Sequence, residues 1–179
     1  MISLAYEVKE YRKLLEKRIE DDDIVIEIGP HVGRSTERYA EKTKLGILVD
    51  KSAQSREGLK NLLKKFPQLR YIQGDARKFE TVKEVLSLTK GCDFLAVDMG
   101  GGRYPDTVFK VWAVWSGVFK PKNSIIRNRG LAEFVQKLKI DDNTLKREFT
   151  DSGWLSEWGR KTPYALKKQL DEFKFWVKV

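Results

Sequence analysis

The chain has 179 residues, enough for one domain with a real core and too few for two ordinary ones. Its composition, 41% hydrophobic and 34% charged, is that of a globular protein, and no apolar run approaches the roughly 20 residues needed to span a bilayer. The net charge of +9, from 35 Lys+Arg against 26 Asp+Glu, favours an anionic partner such as nucleic acid, and the single cysteine, Cys92, excludes an internal disulfide and a thiol metal cluster.

The opening MISLAYEVKEYRKLL lacks the apolar centre of a signal peptide, so a cytoplasmic protein is expected. Leu4, Val8, Tyr11, Leu15 and Ile19 recur near helical spacing and predict an N-terminal helix within residues 1–20, broken by Asp21-Asp22-Asp23. Ile24–Ile28 is a short apolar strand that runs into the loop Gly29-Pro30-His31-Val32-Gly33, with helix expected over Ser35–Lys42. Leu45–Val49 is the second strand and ends at Asp50-Lys51. Ser52–Phe66 is an amphipathic helix with Leu59, Leu62, Leu63 and Phe66 inward, stopped by Pro67. Leu69–Gln73 is a strand ending in Gly74-Asp75-Ala76, Phe79–Thr89 a helix, and Cys92–Val97 a strand ending at Asp98.

Asp106–Phe119 carries apolar residues around nearly its whole circumference, which predicts burial by the sheet, a neighbour or a second subunit. Ser124–Arg127 is a fifth strand and Leu131–Ile140 a helix. In the tail, Phe173, Phe175, Val177 and Val179 alternate with Lys174, Trp176 and Lys178, the period of a half-buried strand, with Trp154–Trp158 a candidate partner. Strands alternating with helices imply an α/β domain with an open, mostly parallel sheet covered on both faces. Right-handed crossovers place every strand's C-terminal end on one edge, where ligands bind.

The glycine loop selects its ligand by elimination. A phosphate loop needs a glycine where Arg34 stands, and a dinucleotide fingerprint needs glycines at His31 and Arg34. A carboxylate at Glu27, two residues before Gly29, would repel a pyrophosphate by about 1 kcal/mol even when well screened. It would attract a cationic ligand. S-adenosylmethionine (SAM) carries an ammonium and a sulfonium and no phosphate, and its carboxylate suits a helix N-terminus after Gly33.

Glu27-x-Gly29-x-His31-x-Gly33 resembles the acidic-residue and glycine loop of class I SAM-dependent methyltransferases, with His31 in place of the middle glycine. Asp50 matches the acidic second-strand end that holds ribose hydroxyls in that family, and Gly74-Asp75-Ala76 matches the segment whose Asp meets the adenine amino group. The resemblance covers residues 24–128 well and 129–179 loosely, and implies a Rossmann-like fold closed by a C-terminal antiparallel hairpin. It implies SAM as cofactor, bound by Glu27, Gly29, Pro30, His31, Gly33, Asp50, Lys51, Gly74, Asp75, Ala76 and Asp98. Asp98 is the catalytic candidate, placed where the fourth strand delivers substrate-facing residues, and the three glycines after Met99 let backbone approach a substrate. No metal ligands are expected, because Arg127-Asn128 stands where metal-dependent relatives carry Asp-Asn. Fibrillarin-like sugar-methylating enzymes share the third-strand and fourth-strand landmarks but use a lysine near Arg127, which cannot give up its proton.

The acceptor expected from charge is RNA or another anion, with Arg127, Arg129, Arg160 and Lys161 as candidate contacts, and Trp154, Trp158 and Tyr164 as aromatics beside them. A small-molecule or protein acceptor stays open. So does a non-catalytic subunit of this fold, and so does a homodimer through helix 106–119.

Overall fold

The structure, a computed structural model, describes residues 1–139 and residue 141. Six strands form one sheet: β1 (Ile2–Ala5), β2 (Ile24–Ile28), β3 (Leu45–Asp50), β4 (Leu69–Gln73), β5 (Phe94–Val97) and β6 (Asn123–Arg127). Their order is β1-β6-β5-β2-β3-β4, and every neighbouring pair is parallel. The helices are α1 (Val8–Arg18), α2 (Ala53–Lys65), α3 (Phe79–Leu88), α4 (Pro105–Phe119) and α5 (Arg129–Lys137). No described helix is long and apolar enough to cross a membrane. The C-terminal hairpin expected over residues 154–179 lies outside the described residues.

Strand alternation sorts side chains between two layers. Val25, Phe94, Ala96 and Ile125 point to one face and pack with Tyr11, Leu15 and Ile19 of the N-terminal segment. Leu48 and Leu69 meet Leu59 of α2 on that same face, with Leu62, Leu63 and Phe66 packed around them. Ile26, Ile28, Ile47, Val49, Leu95, Val97 and Ile126 point to the other face and form the larger cluster with Val82 and Val85 of α3 and Val111, Trp115 and Phe119 of α4.

The first 20 residues depart from the helix expected there. Ile2–Ala5 is a strand paired with β6, in register from Ile2 opposite Ser124 to Ala5 opposite Arg127. A four-residue strand presents too few positions per face to show its period, and Leu4 happens to continue the helical spacing of Val8, Tyr11 and Leu15. α1 then runs back across the face of β5 and β6. Glu10 in its first turn and Lys17 and Arg18 in its last complement the helix dipole. Because α1 starts where β1 ends, its first turns lie at the C-terminal edge of the sheet.

A second departure follows the glycine loop. Ser35–Lys42 forms two three-residue 3-10 turns, Thr36–Arg38 and Ala40–Lys42, in place of the expected helix. There is therefore no helix dipole after Gly33 to receive an anion.

α4 is buried by its own chain. The chain's own sheet and helices bury Trp112 and Trp115, 3% and 0% exposed, and Phe109, at 44%, is the large apolar side chain this helix leaves outward. α5 is the opposite case: none of its residues is buried, and Phe134 and Val135 lie on its exposed surface.

Candidate functional site

β2 sits where the strand order reverses: β3 and β4 lie to one side, and β5, β6 and β1 to the other. A crevice opens at such a switch point, outside the strand C-termini. Gly29 ends β2 at that place. Its amide donates to the Val49 carbonyl at 2.9 Å. A Cβ on Gly29 would fall 2.0 Å from the Asp98 carbonyl oxygen, so only glycine lets β2 and β5 close up here.

The loop alternates left-handed residues. Gly29, His31 and Gly33 have φ of 82°, 52° and 81°. His31 thus adopts the backbone form of the glycine it replaces in the family pattern, at a cost of about 1–2 kcal/mol. Asp50 helps hold it there: its Oδ2 accepts from the His31 amide at 3.1 Å and its Oδ1 from the Ser52 amide at 2.9 Å. Gly33 has a different duty from the one expected. A Cβ there would lie 2.7 Å from Leu59 Cδ2, so its glycine serves the packing of the loop on α2.

Glu27 also departs from expectation. Period-two alternation turns it to the α1 face with Val25, beneath the loop, and leaves it with no exposed surface. Its Oε2 accepts from Thr36 Oγ1 at 2.5 Å and from the Tyr39 hydroxyl at 2.7 Å, while its Oε1 is buried without a partner. Burial pushes its pKa up to about 7 against the two hydrogen bonds, with the Asp98 charge adding to the rise. Glu27 therefore ties the turns after the loop to β2.

A cleft of about 620 Å³ lies over the strand ends, within the range of small-molecule sites. Of the residues expected at the cofactor, Gly29, Pro30, His31, Asp50, Lys51, Gly74, Asp75, Ala76 and Asp98 line it, whereas Glu27 and Gly33 do not. Arg127 and Gly100, expected near the acceptor, also line it, as do residues missed in the sequence: Val8 and Arg12 from α1, Val32, Arg34 and Ser35 from the loop, and Met99. Arg12 and Val8 were invisible because the strand that sets their position was read as part of a longer helix.

Charge is sorted along the cleft. On the β3–β4 side stand Asp50 and Asp75. Asp75 accepts from Arg77 through its backbone amide at 3.0 Å and through Nε and Nη2 at 2.8 and 2.5 Å. Burial works to raise the Asp75 carboxyl, and the Arg77 contacts more than offset it, leaving it below the usual carboxylate range. The Ala76 carbonyl is fixed from below by the buried Trp115 indole at 2.8 Å. On the β6–α1 side stand Arg12, whose Nε donates to Ser35 Oγ at 3.4 Å, and Arg127. Between the two sides, Asp98 Oδ1 meets Arg127 Nη2 at 2.7 Å, both side chains nearly buried. Burial holds the Asp98 carboxyl above its ordinary value despite Arg127.

Asn128 is committed elsewhere. Its Oδ1 accepts from the Leu131 amide at 2.9 Å and caps α5, and its Nδ2 donates to the Arg103 carbonyl at 2.9 Å. Arg160, Lys161, Trp154, Trp158 and Tyr164 lie outside the described residues.

No family model and no curated protein matches the chain. Solved structures do. The chain is similar to Aeropyrum pernix fibrillarin in complex with natively bound S-adenosyl-L-methionine, at 17% identity and a TM-score of 0.51, over 62% of this chain and 48% of that one. It is similar to a dimethyladenosine transferase from Plasmodium falciparum, at 19% identity and a TM-score of 0.53, over 78% and 48%. A precorrin 8W decarboxylase from Methanobacterium thermoautotrophicum matches at 16% identity and a TM-score of 0.51, over 68% and 63%. The chain spans about half the length of the first two. With its parallel sheet, its switch-point cleft and these neighbours, the chain has the class I, Rossmann-like methyltransferase fold.

Proposed function

We propose that this chain is a SAM-dependent methyltransferase whose acceptor is RNA. The observation that carries the proposal is the convergence on one cleft of the left-handed loop 29–33, Asp50, the Gly74–Ala76 segment and Asp98. The fit to the cofactor can be checked against the residues present. Asp50 and Asp75 present acceptors that suit a ligand with hydroxyl and amino donors. An ionised carboxylate has about four acceptor positions. Asp50 uses two on its neighbours and keeps two, the number a ribose diol asks for. Asp75 uses three on Arg77 and keeps one for an amino group. Arg12 and Arg34, on the other side, suit the methionine carboxylate in place of the missing helix dipole.

When bound, SAM supplies a transferable methyl group: the C–S bond breaks with its electron pair left on sulfur, while the acceptor atom takes the methyl and loses a proton. Asp98 receives that proton and passes it to water. Its Oδ1 is fixed by Arg127, which leaves Oδ2 for the acceptor. Burial above the ordinary carboxylate range makes Asp98 a better base than an exposed aspartate. The net charge of +9 supports an anionic acceptor. One similar structure is named a dimethyladenosine transferase, and another was solved with SAM bound.

The test incubates methyl-labelled SAM separately with total RNA, a protein extract and a small-metabolite pool. Label should enter RNA. Label confined to protein or metabolites would reject the RNA acceptor and leave the methyltransferase standing; no transfer to any pool would reject the enzyme. Asp98→Asn should keep SAM affinity and lower turnover about 100-fold or more.

A further inference from the structure

We infer that Tyr6, Arg129 and Tyr104 form a stacking platform for single-stranded RNA on the rim of the cleft. This deepens the methyl-transfer reading and rests on it only for what the platform feeds. The three side chains belong to segments far apart in sequence, and the fold joins them into one strip. Gly100 lines the cleft, and the Tyr104 ring lies 3.3 Å from the position of a Gly100 Cβ. Next along the rim, the Arg129 stem packs 3.1 Å from where a Gly102 Cβ would be. The Arg129 guanidinium then lies over the Tyr6 ring, 5.2 Å from its centroid. Tyr6 leads through Glu7 into Val8, which lines the cleft on its other side.

The rings are presented outward. Tyr104 is 63% exposed and Tyr6 is 43% exposed. An exposed tyrosine is ordinary by itself, but Tyr104 also has a left-handed backbone, φ 54°, in a run with Gly100 at 66° and Gly102 at 94°. A bulky residue takes that form only where its surroundings over-determine it. Here the Arg103 carbonyl is held by Asn128 and α4 begins at once with Pro105. The result is an aromatic ring presented beside the mouth of the cleft at the start of α4.

The charges around the rings decide what would stack on them. Arg103 and Arg129 are exposed on the strip, and Arg127, paired with Asp98, stands just inside. Glu7 holds Arg129 at 3.0 Å and Glu133 accepts from the Tyr6 hydroxyl at 3.2 Å, so two carboxylates orient the platform and reduce its charge. Flat faces interleaved with guanidinium groups recognise bases on a phosphate backbone. Such stacking needs unpaired bases, so a duplex is a poor ligand.

The experiment measures fluorescence anisotropy of a fluorescein-labelled single-stranded RNA of about 12 nucleotides, a length within the range of one single-strand site. The same strand annealed to its complement and a labelled poly-glutamate peptide are the comparisons. Tyr104→Ala and Tyr6→Ala should each weaken single-strand binding by about 10-fold. Tyr104→Phe should restore it. Both side chains are exposed, and melting curves establish that the variants fold. The inference is overturned if the parent does not bind the single strand, if it prefers the duplex or poly-glutamate, or if the two alanine variants bind as the parent does. SAM titration of the same proteins is a separate readout: a parent that binds SAM but not the single strand, or alanine variants that keep both, defeat the platform alone, and absent SAM binding in the parent defeats the methyl-transfer reading alone.

Discussion

Glu27 shows how far a motif and its geometry can part. The spacing from Glu27 to Gly29 is that of the cofactor loop, yet the alternation of β2 sends the carboxylate beneath the loop to Thr36 and Tyr39. Loop glycines are legible in a sequence because positive φ demands them, but the face on which a neighbouring side chain ends depends on strand register. Burial raises Glu27 from an unfolded value near 4.5 to about 7, so it folds protonated in that window. Its contribution to stability is complete below the unfolded pKa and is lost as pH rises through about 7, a span worth about 3 kcal/mol at most. Glu27→Gln keeps an acceptor for Thr36 and Tyr39 and removes the titration. Urea midpoints should show the variant more stable than the parent at pH 8 and nearly equal at pH 5; parallel profiles would show that Glu27 does not titrate with folding. His31 supplies a second test. Glycine relieves its left-handed strain and adds chain entropy of about 0.5–1 kcal/mol to the unfolded state, so His31→Gly should be near neutral. His31→Val should cost about 1–2 kcal/mol by thermal melting, since a β-branched residue tolerates φ of 52° poorly.

Among the elements, those with several turns or a buried apolar run were legible, and the short ones were not. β2 stands at its expected bounds because an apolar run ending in glycine identifies a buried strand, and β4, an edge strand buried at Leu69 and Ile72, stands at its own between Pro67 and Gly74. β1 was hidden in a helical pattern, and the turns over 36–42 were read as a helix because their apolar residues, Tyr39 and Ala40, fit either form. That misreading hid Arg12 and the edge of the cleft it lines. The breadth of the apolar surface on α4 was correctly seen, but the sequence could not distinguish the chain's own sheet from a partner. Trp115 does more than fill that core, since its indole donates to the Ala76 carbonyl in the cleft wall. Trp115→Phe leaves that carbonyl without its donor and should lower stability by about 1–3 kcal/mol in urea unfolding, more if the ring is not replaced in volume. An unchanged midpoint would mean the hydrogen bond contributes nothing to the α4–sheet contact.

Over the whole molecule, the sheet order puts Asp50 and Asp75 on one side of β2 and Asp98 and Arg127 on the other, over one cleft. The strand-end carboxylates are legible in the sequence, because Asp50 and Asp98 sit directly after apolar runs and Asp75 follows the glycine that ends β4. On the guanidinium side Arg127 is legible as a strand-end residue, whereas Arg12 and Arg34 are not, since each reaches the cleft from another segment. If RNA lies along the rim of the cleft, its affinity should fall with salt at a log–log slope of about −0.7 for each phosphate engaged. A slope near zero would assign the charge to the general surface. The central claim is that the cleft binds SAM, and calorimetric titration tests it most directly, with NAD and ATP as the competing ligands. SAM should bind at micromolar levels, about 8 kcal/mol, and Asp50→Ala should weaken it about 10-fold or more in a protein that still folds. Tight binding of NAD or ATP, with none of SAM, would contradict the claim.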